Sequence, residues 1–373
     1  SIDATLFGTL AASYYYGYSL MQIPVAILLD RYGARIIICI FAILCGAASI
    51  AFFYTHNYYI ALGSRFLIGV GSAAGFLGVS KVTSEWFDRS SYAKMIGLAF
   101  TFGLTGAIFG GKPVGLLMER YSSQSVAVTL AIVSIIIGIF AILFLRSSSR
   151  NSTPADERLN LHGLKSVITC KTIWILAIAN ALLVGTLEGF ADVWGVPYLA
   201  TAYSIEKNDA ALMISFLFFG MLLGGPVLSW LNTKINEYAT IVASSLTMTV
   251  LMIAILYNVT PQCMLPYIFF LMGMACCYQV IVFALGSKMV SHQNIGICVA
   301  FLNSINMLGG SFYHTAIGMA MDAFWGGMCN IDGERLYELQ TYQHALSIIL
   351  IGAVVGVVML ALLGYFGSKV AKQ

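Results

Sequence analysis

The sequence predicts an all-α membrane protein. Of 373 residues, 59% are hydrophobic and only 9% charged, against roughly 25% charged in an ordinary soluble domain. The apolar residues gather in blocks of about 20, the length a helix needs to cross roughly 30 Å of hydrocarbon. The short segments between the blocks hold nearly all the charge. In chain order the blocks run 6–29, 35–54, 58–83, 95–118, 126–145, 173–199, 210–231, 239–257, 263–286, 294–320 and 343–367, which makes eleven candidate spans.

The first block carries Tyr14, Tyr15, Tyr16 and Tyr18 in its middle and ends at Asp30-Arg31-Tyr32-Gly33-Ala34-Arg35. Successive helix residues rotate by about 100°, so Tyr15 and Tyr18, three apart, share a face that can stack on or hydrogen-bond a solute. The third block contains Arg65, about seven residues inside its span, and the fourth contains Gly103, Gly106, Gly110, Gly111, Lys112, Pro113 and Gly115. Small residues at such spacing let helices approach closely and slide or bend. Lys112 is near enough to its helix end to reach water by extending its side chain. The sixth block, long at 173–199, carries Glu188 and Asp192 on one face, with Trp194 and Tyr198 at its outer end. The ninth has Tyr278 and Gln279 in mid-span, and the tenth has Asn303, Asn306 and His314.

The eight cysteines have neither metal-like nor paired spacing and suit small apolar packing; they point to no disulfide, zinc or other cofactor. No run of five basic residues suggests a nucleic-acid partner. Phosphate-loop, zinc-protease and serine-hydrolase motifs are absent from the sequence, and the segments outside the blocks are too short for a soluble catalytic domain, so the chain does not read as an enzyme.

Lysine and arginine collect on the cytoplasmic side of a membrane protein. If the turn at Arg31 and Arg35 is cytoplasmic, fourteen of the nineteen basic residues fall on that side and three, Arg120, Lys207 and Arg335, on the other. This places the start of the chain outside and its C-terminus in the cytoplasm. Eleven spans with an external start are what a twelve-span protein with both ends inside shows when its first helix is missing. The longest polar stretch, Arg146 to Lys171, includes the linker-like Ser147-Ser148-Ser149-Arg150-Asn151-Ser152-Thr153-Pro154 and divides the spans five and six. Pro24, before one cytoplasmic turn, is echoed by Pro226 before the equivalent turn of the second half.

The turn Asp30-Arg31-Tyr32-Gly33-Ala34-Arg35 resembles the signature of the major facilitator superfamily, Gly-x-x-x-Asp-Arg/Lys-x-Gly-Arg-Arg/Lys, with Ala26 in place of the leading Gly and Ile36 in place of the last basic residue. Arg65-Phe66-Leu67-Ile68-Gly69-Val70-Gly71-Ser72-Ala73-Ala74-Gly75 resembles the family's fourth helix. Ser84-Glu85-Trp86-Phe87-Asp88-Arg89 resembles the stretch before its fifth, and the glycine-rich fourth block resembles the fifth itself. The resemblance implies two six-helix halves around a central cavity. Residues 1–145 would hold family helices 2–6, residues 146–171 the cytoplasmic linker and residues 172–373 family helices 7–12. The missing helix would be the family's first, which pairs with the Glu188 span. In the turn, Gly33 permits the sharp reversal while Asp30, Arg31 and Arg35 latch one closed state of the cytoplasmic side.

Charges inside a membrane cost several kcal/mol unless paired or hydrated, which makes each a functional candidate. Arg65 suits a carboxylate or phosphate of the solute, or an acid of the protein. Glu188 and Asp192 repel, which favours proton carriage by one of them, Glu188 above all, or binding of a substrate amine. Gln279 and Asn303 suit a polar solute or serve as interhelical glue, and Trp194 either faces the solute or belongs to an interfacial belt. The expected function is secondary active transport by alternating access: a proton-coupled symporter of a small amino acid, organic anion or phosphorylated metabolite. It would lie in a bacterial inner (plasma) membrane, with the lipid bilayer, protons and the solute as its partners. An exporter of amphipathic compounds and a non-transporting membrane sensor with the same fold are the other readings.

Overall fold

The computed structural model describes residues 3–145, 161–291, 294–330 and 333–370. The expected linker segment 147–154, together with Arg146, Arg158 and Lys372, lies outside the described residues.

Helices occupy all eleven expected blocks: α1 (Ala4–Tyr32), α2 (Ala34–Tyr54), α3 (Tyr58–Ser72) with α4 (Ala74–Trp86), α5 (Arg89–Gly110) with α6 (Lys112–Arg120), and α7 (Ser123–Phe144). After α8 (Leu161–Thr169) come α9 (Lys171–Leu183), α10 (Gly195–Tyr203), α11 (Lys207–Lys234), α12 (Glu237–Leu256), α13 (Leu265–Cys276), α14 (Tyr278–Ser287), α15 (Ile295–Ala323) and α16 (Leu339–Val370). The last part of the expected linker is therefore helical, as α8.

Among the described residues, nine helices are long and apolar enough to cross a membrane by length and composition. There are ten if α5 and α6, bent by 42° at their junction, form one span. The helix that falls short of eleven is α1, whose tyrosines and Gln22 dilute its apolar content.

The described chain forms two compact units. One consists of residues 13–103 and 114–166. Its core sets Val25 and Leu29 of α1 against Ala34, Ile37 and Phe41 of α2 and Ala73 and Ala74 at the α3–α4 junction. Backbones meet directly here, since a Cβ on Gly69 of α3 would run into the Tyr14 carbonyl of α1, and Ser13 Oγ donates to the Leu62 carbonyl at 2.9 Å.

The other unit consists of residues 1–12, 104–113 and 167–373. Its larger core includes Phe190, Tyr198, Phe269, Tyr278 and Tyr313, all fully buried. Three of the span-four glycines lie in open space, where a Cβ at Gly103, Gly106 or Gly110 would meet nothing within 4 Å. Gly111 does approach a neighbour, where a Cβ would lie 2.6 Å from Ser215 Oγ, and it marks the bend ahead of Pro113. Lys112 does more than reach for water, because its Nζ pairs with Asp209 in the first turn of α11 at 2.7 Å.

Candidate functional site

Asn57 caps α3 by accepting from the amides of Tyr59 and Ile60, which starts the helix that presents Arg65. The close crossing at Gly69 brings this helix against α1 one turn from Arg65. The guanidinium carbon then lies 5.4 Å from the Tyr14 ring centroid and 5.9 Å from that of Phe52. Aromatic faces attract a cation and reduce the cost of holding it away from water. Tyr14 also stacks on Tyr18, with centroids 6.0 Å apart, and meets Tyr15 edge-on at 5.2 Å. The stacked tyrosines are thus the pair four apart, while Tyr15 is 4% exposed and packs in the core. Tyr14 and Phe52 were not among the expected site residues. The four-residue spacing of Tyr14 and Tyr18 was the available signal for the first, and nothing local marked the second.

At the end of α1 the chain turns through Gly33, whose φ of +79° lies in the region glycine favours. Asp30 Oδ1 accepts from Lys81 Nζ of α4 at 2.8 Å, and Lys81 also lies 3.6 Å from Glu85. Arg31 sits over the Tyr32 ring at 5.3 Å. Arg35 Nε donates to the Ile142 carbonyl at 2.7 Å, supplying a donor in the last turn of α7 where intrahelical donors run out.

The span carrying Glu188 and Asp192 is not a continuous α-helix. Regular winding stops at Leu183; Val184–Thr186 forms a 3₁₀ turn and Leu187–Trp194 a π-helix before α10 resumes. Gly185, Gly189 and Gly195 weaken the α-helical preference, and Pro197 removes an amide that a regular helix would use. Wide π turns inside α-helices occur frequently at functional sites. Glu188 is half-buried. Asp192 is more exposed, and its Oδ2 lies 3.4 Å from Nε2 of the fully buried His314 on α15. Trp194 is 4% exposed and meets Phe7 edge-on at 5.6 Å, so its ring is packed within its own unit.

Gln279 and Asn303 are half-buried on α14 and α15. The Gln279 amide nitrogen is buried, with no hydrogen-bond partner among the described residues. Asn306, one turn beyond Asn303, is fully buried and accepts from Asn180 Nδ2 at 2.8 Å, joining α15 to α9. Asn180 was missed in the sequence, although an amide inside an apolar block signals a buried polar contact.

The Major Facilitator Superfamily model matches residues 1–314. Among curated proteins, the chain is 25% identical to the uncharacterized transporter YybO of Bacillus subtilis (strain 168), over 64% of this chain and 56% of that protein. It is 23% identical to a hexuronate transporter of the same organism, covering 63% and 58%, and 23% identical to a probable L-galactonate transporter of Escherichia coli (strain K12), covering 62% and 54%. The chain thus spans a little over half the length of each of these relatives. Among solved structures, a bacterial homolog of the human lysosomal transporter Spinster, in an inward-facing and occupied conformation, superposes with a TM-score of 0.77 at 18% identity, covering 98% of this chain and 90% of that one. At that identity the likeness concerns the fold.

Proposed function

The chain belongs to the Major Facilitator Superfamily, and from that premise we propose that it is part of a secondary carrier for a small organic anion of the sugar-acid type. The observation that carries this reading is Arg65, a guanidinium kept inside an apolar span over the rings of Tyr14 and Phe52. A cation so placed is costly unless it is paired or hydrated, and a planar guanidinium matches a carboxylate through two parallel hydrogen bonds. The relatives named for hexuronate and L-galactonate support the same solute class.

In this reading, Arg65 is the counter-charge for the carboxylate. Within the unit of Arg65, Tyr18 offers a hydrogen bond and Tyr15 fixes its surroundings; within the other unit, Gln279 and Asn303 offer hydrogen bonds to a polar solute and Trp194 packs beside Phe7. Glu188 carries the coupled proton, Asp192 tunes it, and transport proceeds by alternating access. The halves are 1–145 and 172–373 joined by 146–171, and the C-terminus lies in the cytoplasm of a bacterial inner membrane. Asp30, Arg31, Gly33 and Arg35 form the latch on that side. The protein moves its solute without chemically converting it.

The test is uptake of radiolabelled glucuronate and galactonate into proteoliposomes, with and without an imposed pH gradient. Accumulation that follows the inward proton gradient is expected. Absence of uptake and exchange for every sugar acid, with efflux of a cationic amphiphile instead, would replace this reading with that of an exporter.

A further inference from the structure

We infer that Tyr313 is a positioning residue that fixes the non-α winding of the segment bearing Glu188 and Asp192, an inference that rests on the transport reading for its functional meaning. Tyr313 lies on α15 and is fully buried. Its hydroxyl donates to the Leu182 carbonyl at 2.6 Å, one residue before α9 gives way to the 3₁₀ turn. Carbonyls at the end of an α-helix lose their regular donors and need others when buried. Tyr313 brings that donor from a different helix.

The slot around the ring is cut for it. A Cβ on Gly185 would lie 2.7 Å from the ring's Cζ, and one on Gly189 would lie 3.0 Å from Tyr313 Cβ. On the other side, a Cβ on Gly352 of α16 would run into the hydroxyl itself. Gly185 and Gly189 flank the entry to the π-helix, and Glu188 lies between them in the chain. The ring therefore rests on the backbone from which Glu188 projects. The next residue of α15, His314, approaches the segment's second acid, with 3.4 Å between Nε2 and Asp192 Oδ2. Two consecutive residues of one helix thus meet the irregular segment, at its start and near its end. A phenylalanine would fill the same slot with apolar surface but leave the Leu182 carbonyl without this donor.

The experiment compares Tyr313→Phe with the parent chain in detergent micelles, reading modification of Glu188 by dicyclohexylcarbodiimide by mass spectrometry. This readout needs no transported solute. Loss of a hydrogen bond of ordinary net strength shifts a local equilibrium by about fivefold, and a change of that order in the Glu188 modification rate is expected. Glu119 should react as before and the melting temperature should stay close to the parent's. Gly185→Ala, which presses on the ring from the opposite side, should move Glu188 reactivity as well. An unchanged Glu188 rate in both variants overturns the inference, as does a fall in melting temperature accompanied by equal changes at Glu188 and Glu119. Uptake by the parent chain is measured separately, so that failure of the transport reading is told apart from failure of the positioning role.

Discussion

Lys81 Nζ donates to Asp30 Oδ1 at 2.8 Å, tying the middle of α4 to the last turn of α1 beside the Gly33 reversal. The Asp30 side chain is 60% exposed, and pairs this open to solvent contribute about 0–1 kcal/mol to stability. A latch role nevertheless requires the pair to form and break with conformation. Asp30→Asn is expected to lower the maximal transport rate severalfold while leaving the melting temperature nearly unchanged. The charge exchange Asp30→Lys with Lys81→Asp should restore part of the rate. Wild-type rates in Asp30→Asn would remove the pair from the mechanism.

Asp322, in the last turn of α15, accepts from Arg335 at 2.7 Å, the Tyr337 hydroxyl at 2.6 Å and the amides of Thr5 at 2.7 Å and Ala4 at 3.3 Å. It thereby caps the first turn of α1 and holds the loop before α16. Hydrogen bonds to charged groups are worth about 1.5–3 kcal/mol, and Asp322→Ala is expected to lose stability of about that size. Asp322→Asn, which keeps an acceptor, should lose less. Thermal unfolding in detergent checks the order.

Burial, and then the bond to Asp322, push the Tyr337 phenol up to about 12 from its ordinary value near 10. The folded protein therefore holds the phenolic proton more tightly than the unfolded chain. This contribution to stability is complete below about pH 10 and is lost as pH rises through about 12. Melting temperatures of the parent chain should fall over that window more steeply than those of Tyr337→Phe. Parallel curves would show that the phenol does not contribute.

Asn180 and Asn306 form a buried amide pair in which Asn180 Oδ1 and Asn306 Nδ2 have no further partner among the described residues. Removing one member leaves the other unsatisfied, at about 1–3 kcal/mol. Replacing both with leucine removes the polar groups together and should cost much less than either single replacement. A double-mutant cycle on unfolding in mixed micelles measures the difference. Equal and additive losses would show that the pair is not coupled.

The spans were legible because hydropathy and helix length report the same physical constraint, the thickness of the hydrocarbon. Their ends fall within a few residues of the helices from Ala34–Tyr54 to Leu339–Val370. Winding was not legible. Glycine in Leu187-Glu188-Gly189-Phe190 weakens an α turn without specifying a π turn in its place, and the Leu182 carbonyl just before the change meets Tyr313, more than a hundred residues away in sequence. Site residues were nominated by chemical type: an arginine or a carboxylate in an apolar block is conspicuous wherever it occurs. Helical spacing alone did not pick the right partner, since Tyr18 stacks on Tyr14 four residues away and the sequence reading paired it with Tyr15, while Lys81 for Asp30 and His314 for Asp192 come from other helices.

Arg65 separates a charge requirement from a shape requirement. Lysine keeps the positive charge but lacks the planar fork that pairs with a carboxylate and stacks on Tyr14. Arg65→Lys is therefore expected to raise KM for a sugar acid by about tenfold, the value of one good charge-assisted hydrogen bond, with a smaller change in maximal rate. Arg65→Gln should abolish saturable uptake. Competition by the same solute series in counterflow gives KM without a pH gradient and keeps binding apart from coupling. If lysine substitutes without loss, the planar contact has no part in recognition, and Arg65 acts through its charge alone.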